Sequence, residues 1–214
     1  MKEAAVKNGL WCCAIFLLGV MAVPAMAGAP VDALKGPVDK AIQILEDPQY
    51  DDPVRRDELR EKIRSVTNAM FDFELIAKRT AGRYHWEKSM TPPQRREFTD
   101  LFAEFLGNNY LSRINGTVKG LKIEYVDEVV DDAGKKAKVK TRIPRNDGDV
   151  NVDYNLWLKD GNWKIYDVYV EGVSLVQNYQ TQFSDLFNKE SAAQVIDRLK
   201  QKIGEQKQQE KTNG

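Results

Sequence analysis

Cysteine and histidine are almost missing from this chain: among its 214 residues the cysteines are Cys12 and Cys13, and the one histidine is His85. Zinc centres ordinarily need several Cys or His ligands, so a metal site of that kind is excluded. There is no glycine-rich phosphate loop, no dinucleotide fingerprint and no G-x-S-x-G elbow, which removes the common nucleotide-dependent and α/β-hydrolase classes. His85 sits in Arg83-Tyr84-His85-Trp86 without an evident orienting group, so a structural or surface role is simpler than that of a general base. No cofactor and no catalytic residue are expected.

Long apolar runs are equally scarce. The one that exists, Leu10 to Val23, follows Lys2 and Lys7 and precedes Pro24 and Ala25-Met26-Ala27. It is too short for a stable membrane anchor, and with its basic start and A-x-A site it reads as a secretory signal peptide over residues 1–27. Both cysteines fall inside it, so the mature chain has no thiol for a disulfide or a nucleophile. The whole chain carries 32 basic and 32 acidic side chains; without Lys2, Lys7 and Glu3, 30 face 31. That balance does not favour nucleic acid or a strongly anionic surface. One domain is expected over residues 28–203, with a polar, frayed tail over 204–214.

What is present is a helix-rich first half and a strand-rich second. Val31, Leu34, Val38, Ile42 and Leu45 mark an amphipathic helix; Asp52-Pro53 open another, lined by Leu59, Ile63, Val66 and Met70. Asp72 caps a short helix closing at Gly82, and Thr91 to Gln94 form a capping box. The longest apolar stripe follows: Phe98, Leu101, Phe102, Phe105, Leu106, Tyr110, Leu111 and Ile114. Beyond Gly120 the period changes to two, with turns at Asp132-Ala133-Gly134, Asn146-Asp147-Gly148 and Lys159-Asp160-Gly161-Asn162. These define an antiparallel meander of four or more strands, wet on one face. The last strand ends at Gly172 and passes into an amphipathic helix capped by Ser174 with Gln177; a final helix opens with a box from Ser191 to Gln194. The fold class is α+β: a curled meander covered by N- and C-terminal helices.

Two carboxylates fall within the final apolar strand. Alternation places Asp167 and Glu171 on one face with Ile165 and Tyr169, opposite Tyr166, Val168 and Val170. If that face is inward, Asp167 is a buried base, as in a small isomerase or dehydratase; if outward, both are ordinary surface charges or partner contacts, the preferred reading. A secreted chain rich in aromatics and poor in chemistry points to binding, since a curled sheet whose helices leave its concave side unfilled needs no catalytic group.

Asp167-Val168, Glu171-Gly172-Val173-Ser174-Leu175, Asn178-Tyr179 and Gln182-Phe183 together resemble the signature of the MlaC family of periplasmic phospholipid-binding, or toluene-tolerance, proteins. Gly82-Arg83-Tyr84, Gln94-x-x-x-Phe98 leading to Tyr110, Val152-x-Tyr154-x-Leu156 and Gly161-x-Trp163-Lys164 extend the likeness from about Val31 to Leu199. Gln180 departs from it, standing where an arginine is usual. The resemblance implies a cone-like fold holding phospholipid tails inside with the headgroup toward solvent. It also implies a soluble monomeric periplasmic carrier between an outer-membrane lipoprotein complex and an inner-membrane ABC transporter with an MCE-domain subunit. Phospholipid is then cargo, and a hopanoid or other polycyclic lipid is the sibling possibility.

Candidate lipid-binding residues are Val139, Thr141, Ile143, Val152, Tyr154 and Leu156 on the strands, and Phe102, Phe105 and Tyr110 on the long helix. Val173, Leu175, Val176, Tyr179 and Phe183 form the expected lid. Arg113, Arg142 and Arg145 are candidates for a headgroup phosphate.

Overall fold

Helix α1 (Pro30–Glu46) carries proline in its first turn, where a missing N–H is no loss, and the carboxylate of Glu128 accepts the Val31 N–H at 2.7 Å. The structure, a computed structural model, describes residues 28–114, 120–146 and 148–212. The expected signal peptide and the Arg113 side chain lie outside what is described. Asp52 accepts the Val54 N–H at 2.9 Å, as a cap should, but a 3-10 turn over Pro53–Arg55 comes first and only then α2 (Arg56–Met70).

Asp72 turns the chain into α3 (Phe73–Ala81) by accepting the Leu75 N–H at 3.1 Å, and Gly82 ends that helix at φ 79°, a conformation that favours glycine. A π-helical turn over His85–Ser89 leads to α4 (Pro92–Ile114). Here the capping box forms reciprocally: Thr91 N–H donates to Gln94 Oε1 at 2.9 Å, and Gln94 N–H to Thr91 Oγ1 at 3.4 Å.

The sheet is an antiparallel meander of five strands in sequence order: β1 (Glu124–Val130), β2 (Lys136–Ile143), β3 (Val150–Lys159), β4 (Asn162–Val170) and β5 (Val173–Ser174). The last strand corrects the expected direct passage from strand to helix. Glu171 and Gly172, at φ 49° and 76°, make a two-residue turn that folds Val173 and Ser174 back onto Tyr169 and Val170. Then follow α5 (Leu175–Phe187) and α6 (Ala192–Thr212). The tail expected to fray from Gly204 is the end of α6. Lys207 pairs with Glu104 at 2.7 Å and Gln206 Nε2 donates to the Phe105 carbonyl, contacts that composition alone does not reveal.

Two hydrophobic cores form. One joins α3 to α6, around Phe98, Phe102, Phe183, Phe187, Val195 and Leu199. The other joins α1 and α2 to the sheet, with Leu34, Val66 and Met70 against Val139, Leu156 and Ile165. Phe71, at the α2–α3 corner, touches both. Its segment is pinned there by a bridge to Ile165, whose carbonyl accepts the Asp72 N–H at 2.9 Å.

A bulge in β4 decides which residues face inward. Asn155 pairs with Asp167 but Leu156 pairs with Ile165, so Tyr166 is the extra residue. Directly paired residues share a face, so Trp163, Ile165, Val168 and Val170 lie with Leu158, Leu156, Tyr154 and Val152 on the concave side. The alternation expected from sequence, with Val168 and Val170 opposite Ile165, is overturned by this one residue.

Candidate functional site

Between the two cores lies a cavity of about 410 Å³, within the range of roughly 300–1,000 Å³ usual for small-molecule sites. The sheet contributes Val152 and Tyr154 from β3 and Val168 and Val170 from β4. Helix α4 contributes Phe102, Ala103, Leu106, Gly107 and Tyr110, while Leu175, Val176 and Tyr179 of α5 close another side. Thr67, Phe71, Phe73 and Ile76 complete the wall from α2 and α3. Nearly all of these groups are apolar, because each element turns toward the gap the same side that it packs into its own core.

Seven of the fourteen expected residues therefore line this space: Phe102, Tyr110, Val152, Tyr154, Leu175, Val176 and Tyr179. The others lie outside its wall. Val139 and Leu156, 0% and 1% exposed, are covered by the α1–α2 pair, which fills that half of the concave face. Thr141 is buried with them, its hydroxyl donating to the Val152 carbonyl at 2.7 Å, and Ile143 sits beyond it opposite Val150. Phe105 stands behind Phe102 and edge-on to Tyr179, and Phe183 packs edge-on to Phe98 and Phe102 inside the helical core. Val173 is 60% exposed, carried outward by the tight turn before it.

Of the arginine candidates, the two that are described, Arg142 and Arg145, are not in the cavity wall either. Arg142 is held on the outer sheet surface by Glu124, at 2.9 Å from Nε, and by Asp149 at 3.6 Å; Arg145 is exposed in the following loop.

Sequence reading missed the contributions of α2, the α2–α3 corner and β4. One available signal was the row Phe102, Ala103, Leu106, Gly107, Tyr110, whose spacing puts five residues on adjoining stripes of one helix with a gap of small side chains in the middle.

Asp167 is the one ionisable carboxylate in the wall, and its oxygens are occupied. It is 2% exposed and accepts from the Ser174 hydroxyl at 2.8 Å, the Val176 N–H at 3.2 Å and the Val168 N–H at 2.9 Å. Ser174 in turn accepts the Gln177 N–H at 3.0 Å. Asp167 and Ser174 thus cap α5 together and tie the lid to β4, so the surface reading of Asp167 is corrected without making it a poised base. Tyr179 is fixed from the other side, its hydroxyl accepting from Asn109 Nδ2 at 3.0 Å.

Two tyrosines mark how dry the concave face is. Burial pushes the Tyr154 phenol up to about 12, with neighbouring Thr141 pulling the other way. Burial also raises Tyr125 to about 12, helped by Tyr154 and Asp39.

The family model described as MlaC protein matches residues 35–201. This chain belongs to the MlaC family. It is 25% identical over 163 residues to the intermembrane phospholipid transport system binding protein MlaC of Haemophilus influenzae, covering 74% of this chain and 71% of that one. It is 30% identical to toluene tolerance protein ttg2D of Pseudomonas putida over 105 residues, a match that spans only 47% of this chain and 46% of the relative. Among solved structures, the phospholipid-binding protein of Ralstonia solanacearum, determined in complex with a phospholipid, superposes with a TM-score of 0.70 at 20% identity. That alignment covers 83% of this chain and 98% of the other, so MlaC membership and the α+β fold agree. None of the helices described in this MlaC protein is long and apolar enough to cross a membrane.

Proposed function

We propose that this protein is a periplasmic phospholipid carrier, exported by the signal peptide at 1–27, that holds acyl chains in the cavity between its two cores. It would exchange lipid with an outer-membrane complex and an inner-membrane ABC transporter with an MCE-domain subunit. The observation that carries this reading is the cavity: about 410 Å³ walled by Phe, Tyr, Val, Leu and Ile side chains, with its one carboxylate committed to capping α5. Membership of the MlaC family, and a similar fold solved with phospholipid, support the choice of cargo.

The energetics favour such a carrier. Each methylene exposed to water costs about 0.8 kcal/mol, so two tails of roughly 30 methylenes together cost on the order of 24 kcal/mol. A greasy pocket removes that cost for each methylene it covers while staying nearly neutral relative to a bilayer. Transfer is then reversible, and partners set its direction.

The test is native mass spectrometry of the mature protein purified without detergent, followed by lipid extraction. Phospholipid at fixed stoichiometry is expected. Protein that carries none and cannot be loaded refutes the reading, and a polycyclic lipid in its place would reassign the cargo.

A further inference from the structure

The near balance of bases and acids in the whole chain conceals a local excess. Residues 78–96 hold six cations, Lys78, Arg79, Arg83, Lys88, Arg95 and Arg96, and a single carboxylate, Glu87, which leaves 26 of the chain's 32 bases against 31 of its 32 acids elsewhere. The fold gathers much of this charge at one corner, where the end of α3, the π-helical turn and the start of α4 meet. Lys78 Nζ stands 3.4 Å and Arg83 Nε 3.3 Å from the Glu87 carboxylate, and Arg95 Nη2 donates to the Glu87 carbonyl at 3.2 Å. One carboxylate does not neutralise three cations. Lys88, next on the turn, is exposed and makes no ion pair among the described residues, while Arg79 lies over the Tyr166 ring. The end of α5 abuts this corner through Phe187, but there Asp185 is matched by Lys189 and Glu190 is held by Arg198 at 2.6 Å, so α5 does not cancel the excess.

The same corner presents an aromatic ring. Tyr84 is 69% exposed, the one large exposed side chain with an apolar body between residues 78 and 96. It stands edge-on to His85, whose ring stacks on Phe187 of the helical core at 5.2 Å, so Tyr84 is carried outward on a rigid support. A protein–protein interface is built around a larger apolar centre. One amphipathic ring among cations suits instead the interfacial layer of a bilayer, where tyrosine is enriched and Lys and Arg meet anionic headgroups without matching a shape.

We infer that this corner docks the protein on a bilayer containing anionic phospholipid. Tyr84 enters the headgroup layer, and Lys78, Arg83, Lys88 and Arg95 lie over its negative charge. The contact is electrostatic and reversible, and it uses no part of the cavity, so it goes beyond the carrier reading and does not depend on what the cavity holds.

The test is co-sedimentation of the mature protein with vesicles of phosphatidylcholine, alone or with about one-third phosphatidylglycerol. Protein that only takes up a lipid molecule stays in the supernatant, which separates docking from cargo. Binding is expected on the anionic vesicles alone at about 0.05 M salt, and its loss at about 0.5 M, where the screening length is roughly three times shorter. Each cation at such a surface contributes about a fivefold factor in affinity, so Arg83→Gln with Lys88→Gln should weaken binding about thirtyfold. Tyr84→Ala should weaken it several-fold. These side chains are exposed and outside both cores, so circular dichroism should not change. Lys35→Gln with Lys40→Gln, which removes the same charge from the exposed side of α1, should alter binding by less than about twofold. Equal binding to both vesicles, binding to neither, or equal losses in the two double variants overturns the proposal. Binding of the corner to polyglutamate with none to vesicles would reassign it to an acidic protein and likewise overturn the bilayer.

Discussion

Gly107 offers a way to fill part of the cavity without disturbing the fold. It lies within α4 in the cavity wall, and a Cβ built there meets nothing within 4 Å. Gly107→Ala should therefore be tolerated, and removing glycine from a helix interior contributes about 0.5–1 kcal/mol of stability. For a chain of this size that is a rise in Tm of about 1–4 °C. Gly107→Phe adds a benzyl group to the same open space, with Phe73 and Ala103 as apolar neighbours. Its seven carbons displace roughly as many methylenes of cargo, and at about 0.8 kcal/mol each the lost transfer energy is between about 5 and 6 kcal/mol. Retention should weaken on the order of ten-thousand-fold. The assay is release of a fluorescent phospholipid to acceptor vesicles, with circular dichroism confirming the fold. Gly107→Phe that remains folded and holds lipid as long as Gly107→Ala would show that the tails do not pass between α2 and α4.

Asp167→Asn replaces one accepting oxygen with an amide that faces donors from Ser174 and the backbone. A loss of about 2 kcal/mol and faster lipid release from a loosened α5 are expected; an unchanged Tm would mean that Asp167 does not hold the lid. The tyrosines set an alkaline limit. Because the folded Tyr154 pKa is raised from 10.0 to about 12, its contribution is intact below pH 10 and is lost as pH rises toward 12. By pH 11 the loss is roughly 1 kcal/mol, and Tyr125, less shielded, adds a smaller share. Urea unfolding at pH 9 and pH 11 should show it, and Tyr154→Phe should flatten the difference; equal slopes in both proteins would rule out Tyr154 as its source.

Sequence carried the local structure well because the signals were local. The boxes at Thr91–Gln94 and Ser191–Gln194, the cap at Asp72 and the turn at Asp160-Gly161 each depend on residues within a few positions of one another, and each forms as read. The site was half legible because its walls depend on two facts absent from any local pattern. One is the extra residue at Tyr166, which swaps the faces of Val168 and Val170 without leaving a mark in the composition of β4. The other is the return of α1 and α2 to the sheet, where Leu34, Val66 and Met70 turn Val139 and Leu156 into core. Periodicity names a buried face but not what buries it.

The same two facts explain why the cavity persists. In engineered cores, an enclosed empty cavity destabilises by about 24 cal/mol per Å³, so a fully enclosed one of about 410 Å³ would cost roughly 10 kcal/mol, an upper bound for this partly open space. That rivals the whole stability of a typical domain, so walls free to move would collapse. Here they are not free. The α4–α5 wall is fixed by its own aromatic core and by Asn109 holding Tyr179, and the sheet wall by the α1–α2 core. Asp72 bolts the seam, accepting at once from Leu75 N–H, from Trp157 Nε1 at 3.1 Å and from Lys159 Nζ at 2.9 Å while 6% exposed. Closing the gap would break one core to enlarge the other, whereas an acyl chain, the cargo proposed above, would fill it and leave both intact. A hollow maintained this way is emptied and refilled without refolding, which is what a reversible carrier requires.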